Sequence, residues 1–142
     1  MGPWPPERTK LLLMKTTIKS IDDIKILVDA FYSKVREDEK LGPIFDRVIK
    51  DRWPEHMEKM YRFWQTVLLD DHTYYGNPFM PHADLPVQRE HFERWIELFH
   101  QTLDVHFEGE RAEEAKWRSS KMAEMFQYKI EYFRNSGSRP LI

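Results

Sequence analysis

Apolar side chains recur every three or four residues through four long stretches of this chain, and no segment shows a convincing strict alternation of apolar and polar residues. That spacing lays a continuous apolar stripe along one side of a helix, whereas a half-buried strand repeats every two residues. The fold class is therefore all-α. The first stretch opens at Ser20, with Asp23 three residues on in the manner of a capping box, and carries Ile24, Leu27, Val28, Phe31 and Val35. Leu41-Gly42-Pro43 is expected to stop it, and Ile44-Phe45 to begin a short connector. A second helix is expected from Trp53-Pro54, where proline suits the first turn, to about Leu69. Pro86 reopens the chain into a third, carrying Phe92, Trp95, Ile96, Phe99 and Leu103 and ending before Gly109. The fourth runs from about Glu110 to Arg134, with Ala112, Ala115, Met122, Met125, Phe126, Ile130 and Phe133 as its apolar positions.

Proline and glycine also set the outer boundaries. Three prolines within Pro3-Trp4-Pro5-Pro6 forbid a helix, so residues 1–19 are expected to form a flexible arm before a single helical domain over residues 20–134. Residues 135–142 are expected to be a frayed tail. A chain of 142 residues is one domain by the usual prior. Its 22 Lys and Arg nearly balance 24 Asp and Glu, which argues against a dedicated nucleic-acid surface. There is no cysteine, so disulfides, thiolate metal sites and a thiol nucleophile are excluded. No apolar run reaches the ~18 residues that span a bilayer, and Leu11-Leu12-Leu13-Met14 is too short for a signal-peptide core. A cytoplasmic location, with no membrane partner, is the expectation.

One short segment stands out for chemistry. His82 lies in Asn77-Pro78-Phe79-Met80-Pro81-His82-Ala83-Asp84-Leu85-Pro86, and Phe79 to Ala83 has room for only about one helical turn. Proline on both sides can hold an imidazole rigidly against a pocket wall, and a neutral imidazole is a good axial ligand for iron. On the second helix, His56, Met60, Phe63 and Val67 share one face, which puts one polar group at the end of an apolar stripe. Tyr32 and Trp95 sit beside the stripes of the first and third helices. Each of these also has an ordinary reading: a loop histidine in water, a solvated helix-start residue, aromatic rings at the edge of a core. No glycine-rich phosphate loop, His-Glu-x-x-His or Gly-x-Ser-x-Gly is present, and His72, His91, His100 and His106 fall at no metal-ligand spacing, although His91 is placed to cap or line a helix start.

Taken in order, these segments resemble the truncated haemoglobins of group III, over about residues 20 to 134. The resemblance is carried by Phe31-Tyr32-Ser33-Lys34-Val35, Leu41-Gly42-Pro43-Ile44-Phe45, Trp53 with His56 and Phe63-Trp64, Tyr75-Gly76-Asn77-Pro78 before His82 and Leu85-Pro86, and His91-Phe92-Glu93-Arg94-Trp95. Groups I and II often carry Gly-Gly pairs at helix hinges, and this chain has none. The Pro-rich arm departs from the family pattern.

The resemblance implies a truncated globin fold, two antiparallel helix pairs packed as a sandwich around haem. Without cysteine that haem is of the b type, held without thioether links. His82 corresponds to the proximal iron ligand, and Tyr32, His56 and Trp95 to the polar residues of the distal side. Phe45, Met60, Phe63, Phe79, Leu85, Phe92, Met122 and Phe126 correspond to positions against the macrocycle. The function implied is reversible binding of O2, NO or other diatomic molecules, in support of NO detoxification or peroxide chemistry. Since the chain has no flavin or nicotinamide motif, the electrons would come from a separate reductase. A haem-based sensor acting through a partner protein is the alternative, and a helical interaction module without cofactor a third reading.

Overall fold

The computed structural model describes residues 15–79, 82 and 85–136. The Pro-rich start of the arm, Met80 and Pro81 before His82, Ala83 and Asp84 after it, and the tail from Gly137 lie outside these residues. Among these residues five helices form: α1, Ile21–Glu37; α2, Gly42–Ile49; α3, Trp53–Leu69; α4, Arg89–His106; and α5, Glu110–Ser136. Among the described residues there is no strand, only an isolated bridge between Thr16 and Phe107. The fold is all-α. α1 packs on α3 and α4 on α5, and α1 lies against α4 to join the two pairs.

Local chemistry explains the boundaries. Ser20 caps α1, and the Asp23 carboxylate accepts the N–H groups of Lys19 (2.8 Å) and Ser20 (3.2 Å). Where a connector was expected at Ile44-Phe45, eight residues form α2. Pro43 does not stop a helix there; it starts one, in the first turn, where its missing N–H has no helical partner to lose. Gly42 permits this corner, because a Cβ on it would lie 2.7 Å from the Arg36 carbonyl oxygen. α4 begins at Arg89, three residues after Pro86, because the His91 Nδ1 accepts the Gln88 N–H (2.8 Å) and closes the first turn. Gly109, at φ +97°, makes the turn into α5. At this corner the Thr16 N–H donates to His106 O (3.2 Å), Thr16 O accepts from the Glu108 N–H (3.0 Å), and Ile18 is buried.

The core between the pairs is aromatic. Trp64 and Trp95 each stack on the fully buried Phe99, with centroids 4.9 and 5.4 Å away, and Phe31 meets Phe99 edge to face at 5.0 Å. Offset stacks and edge-to-face pairs of this kind add about 0.5–1.5 kcal/mol each beyond the area they bury. Trp95 is thereby locked on a side of α4 that reaches from the core to the space enclosed by α2, α3 and α5.

One carboxylate ties α1, α2 and α4 together. Asp38, its side chain 6% exposed, accepts from Arg94 Nε (2.6 Å) and from the N–H groups of Lys40 (3.1 Å) and Leu41 (3.0 Å). Burial alone would raise the Asp38 carboxyl, but the bond from Arg94, the Leu41 N–H, the Arg94 charge and the Lys40 N–H outweigh it and hold the carboxyl below its ordinary value. A carboxyl depressed on folding takes up protons more readily in the unfolded chain. Its stabilisation is therefore complete above pH ~4 and lost as the pH falls through the folded value. Asp38→Asn should lower stability by about 1–3 kcal/mol at pH 7, and the loss relative to the parent protein should shrink towards pH 3. Urea unfolding of both proteins at the two pH values checks this; equal midpoints at pH 7 would remove Asp38 from the account.

Candidate functional site

A cavity of about 1090 Å³ opens between α2, α3, α4, α5 and the segment before α4. Its walls are apolar. Phe45 comes from α2, and Met60 and Phe63 come from α3, one helical turn apart. Leu85 and Phe92 come from the approach and first turn of α4, and Met122 and Phe126 from α5. Phe79 does not line the cavity; it is buried behind it, its ring 5.4 Å from that of Phe126, so it backs the wall instead of forming it. The polar residues singled out in the sequence all reach the cavity: Tyr32, His56, His82 and Trp95.

The segment bearing His82 is held from several sides. Gln65, buried on α3, donates through Nε2 to Asp71 (3.0 Å) and accepts from the Thr73 hydroxyl (2.9 Å). The Thr66 hydroxyl oxygen accepts the N–H groups of Thr73 (3.0 Å) and Tyr74 (2.9 Å). These bonds lay the loop along α3 and set the Tyr74 ring against Phe63, with centroids 5.3 Å apart. Asn77 Oδ1 then accepts the Phe79 N–H (3.0 Å), a side-chain turn that suits asparagine. His82 N–H closes one turn on Phe79 O (2.8 Å), and Arg134 on α5 donates to Leu85 O (2.8 Å).

The imidazole of His82 has a defined orientation. Its Nδ1 lies 2.7 Å from Pro78 O. A carbonyl oxygen only accepts, so Nδ1 carries the proton, and in the neutral ring Nε2 is left with a free lone pair. Burial lowers the His82 pKa, opposed in part by the Pro78 bond, and the neutral form is favoured. A carbonyl that accepts from the other ring nitrogen in this way is how proteins fix the tautomer of a metal-ligating histidine. The ring is packed against Phe126, with centroids 4.8 Å apart.

His56 is buried differently. Its Nε2 has no hydrogen-bond partner in the protein, which costs about 1–3 kcal/mol for a buried polar group. Burial, followed by the proximity of His82 and Lys59, lowers its pKa to about 4, so it is neutral at physiological pH. Burial pushes the Tyr32 hydroxyl up, which keeps it protonated and able to donate.

These features fit haem. The cavity is apolar, larger than the pockets of most small ligands, and carries one neutral imidazole with a free nitrogen. Among the described residues no group of three or more His, Asp or Glu could hold a bare metal ion. Several lining residues were missed in the sequence. Ile44, Val48 and Ile49 line the cavity from α2, and their helical spacing was the available signal, hidden by reading this stretch as a connector. Arg52, Lys59, Arg62, Tyr74 and His91 also line it, and nothing in their spacing marks them.

Comparison with known proteins agrees with this geometry. Residues 17–129 match the family model described as bacterial-like globin. The group 3 truncated hemoglobin of Campylobacter jejuni is 36% identical over 118 residues, spanning 80% of this chain and 93% of that protein. The crystal structure of a group III truncated hemoglobin from Campylobacter jejuni superposes with a TM-score of 0.76 at 36% identity, covering 82% of this chain and 95% of the other. With the fold, the cavity and the sequence in agreement, the chain belongs to the bacterial-like globins as a group III truncated haemoglobin, and membership implies ligand binding at haem.

Proposed function

We propose that this globin holds haem b without a covalent link, with His82 as the proximal ligand, and binds O2 and other diatomic molecules reversibly. The observation that carries this reading is the 2.7 Å bond between His82 Nδ1 and Pro78 O, which leaves Nε2 free on a ring that lines the cavity. Haem held there by His82 would supply a redox-active iron able to take a small ligand.

The chain's own residues do the rest. Phe63, Phe92 and Phe126 line the cavity with apolar surface that excludes water. Tyr32, held protonated by burial, and Trp95, held by its stack on Phe99, offer an O–H and an N–H to a ligand that gains partial negative charge. His56 at the start of α3 is the gate: its buried, unpartnered nitrogen gains a hydrogen bond if the ring turns out to water. Two donors slow ligand release, which favours O2-dependent chemistry, NO detoxification or peroxide turnover over delivery. Such turnover draws electrons from a separate reductase, and the reading places the protein in the cytoplasm. No helix of the described residues is long and apolar enough to cross a membrane.

Replacing His82 by Gly should abolish haem retention, with added imidazole restoring it; normal haem content without imidazole would overturn the assignment. Acid–butanone extraction should strip haem from the polypeptide, and haem that stays behind would show a covalent bond. Tyr32→Phe and Trp95→Phe should each speed O2 dissociation roughly 2- to 10-fold, the equivalent of one net hydrogen bond. His56→Leu should act mainly on association. Stopped-flow and flash photolysis separate the two rates, and a larger rise in off-rate for His56→Leu than for Tyr32→Phe would reverse the ranking of the donors.

A further inference from the structure

Neither Arg36 nor Trp53 lines the cavity, yet both bear on a residue that does. The His56 ring meets Tyr32 at 5.0 Å between centroids and 90°, and Trp53 at 5.7 Å and 87°. Trp53 and Tyr32 meet each other at 5.9 Å, so the imidazole stands in a corner made by two rings. Over the Trp53 ring lies the Arg36 guanidinium, 4.4 Å from its centroid. Arg36 also reaches Asp46 on α2, with Nε 3.8 Å from the carboxylate. This one side chain of α1 therefore touches α2 and the first residue of α3. None of the roles derived above uses it.

We propose that Arg36 and Trp53 form a clamp that holds the His56 imidazole over the cavity and so sets how readily small ligands enter. The inference rests on the reading of His56 as a gate. Two tendencies oppose each other at this residue. Hydration of the unpartnered Nε2 draws the ring outward. Edge-to-face packing in the corner of Tyr32 and Trp53 keeps it in. Packing wins only while the indole is fixed, and a planar guanidinium over its face is a contact that fixes it. With Arg36 removed, the indole is free to tilt and the imidazole, which has only two torsions, turns to water. Arg36 and Trp53 are thus positioning residues that act through His56.

The test uses the haem-loaded protein and the variants Arg36→Gln, Trp53→Phe, His56→Leu and the double variant Arg36→Gln/His56→Leu. Two readings are taken: the CO association rate after flash photolysis, and the infrared C–O stretching envelope, which responds to the polar group beside the ligand. Arg36→Gln should raise association roughly two- to fivefold, the size of one exposed cation–π contact, and shift part of the envelope to the position seen in His56→Leu. In the His56→Leu background the same change should alter neither reading. Trp53→Phe, with a smaller ring in the same place, should fall between. An equal rise with and without His56 overturns the clamp. So does an unchanged Arg36→Gln beside a fast His56→Leu, which leaves the gate standing. If His56→Leu itself binds CO at the parent rate, the gate reading falls and the clamp falls with it.

Discussion

A single hydrogen bond between a backbone carbonyl and an imidazole organises the site. Pro78 O leaves His82 Nδ1 no choice but to donate, and that choice decides which ring nitrogen is free and where it sits. Much of the loop before α4 serves this bond. The buried Gln65 and the Thr66 hydroxyl hold residues 71–74 on α3, and Asn77 turns the chain at Phe79. Without them a segment this rich in proline has few backbone donors of its own to define a position. The order in the segment is therefore borrowed from α3 on one side and, through Arg134, from α5 on the other.

The opposite wall depends on packing more than on hydrogen bonds. Trp95 belongs to both the core and the cavity, and its stack on Phe99 transmits the rigidity of one to the other. Tyr32 has the same dual membership on α1, between Phe31 and Phe45. Side chains placed this way have little freedom to adjust, because close-packed interiors do not yield gradually. His56 is the exception on that wall. It is half-buried at the start of its helix, with one nitrogen unsatisfied, and it is the residue there with most to gain by moving.

The parts of the fold legible in the sequence were those with long, regular periodicity. α1, α3 and α5 begin where capping residues, Trp53-Pro54 and Gly109 put them. α2 was not legible, because eight residues give barely two turns of pattern and Gly-Pro reads equally as an end or a beginning. Only its contacts decide: a neighbouring carbonyl at Gly42 leaves no room for a Cβ, and the helix that follows supplies Phe45 to the cavity. Phe79 shows the converse limit. The resemblance put it against the macrocycle, but it is not among the residues that line the cavity, and its buried ring packs against Phe126.

By itself the sequence determined the helical class, the absence of any thiol chemistry, and the residue types available to hold a cofactor, because periodicity and composition are local properties of the chain. The order and spacing of the matched segments also determined the family. The tertiary structure alone decided which of these residues meet. It brought Tyr32, His56, His82 and Trp95, spread over 64 positions from first to last, onto one cavity and left Phe79 behind it. It also decided the tautomer of His82, the lone nitrogen of His56 and the stacking of Arg36 on Trp53. Each depends on the distance between groups far apart or loosely connected in the chain, and such distances are settled only when the helices pack.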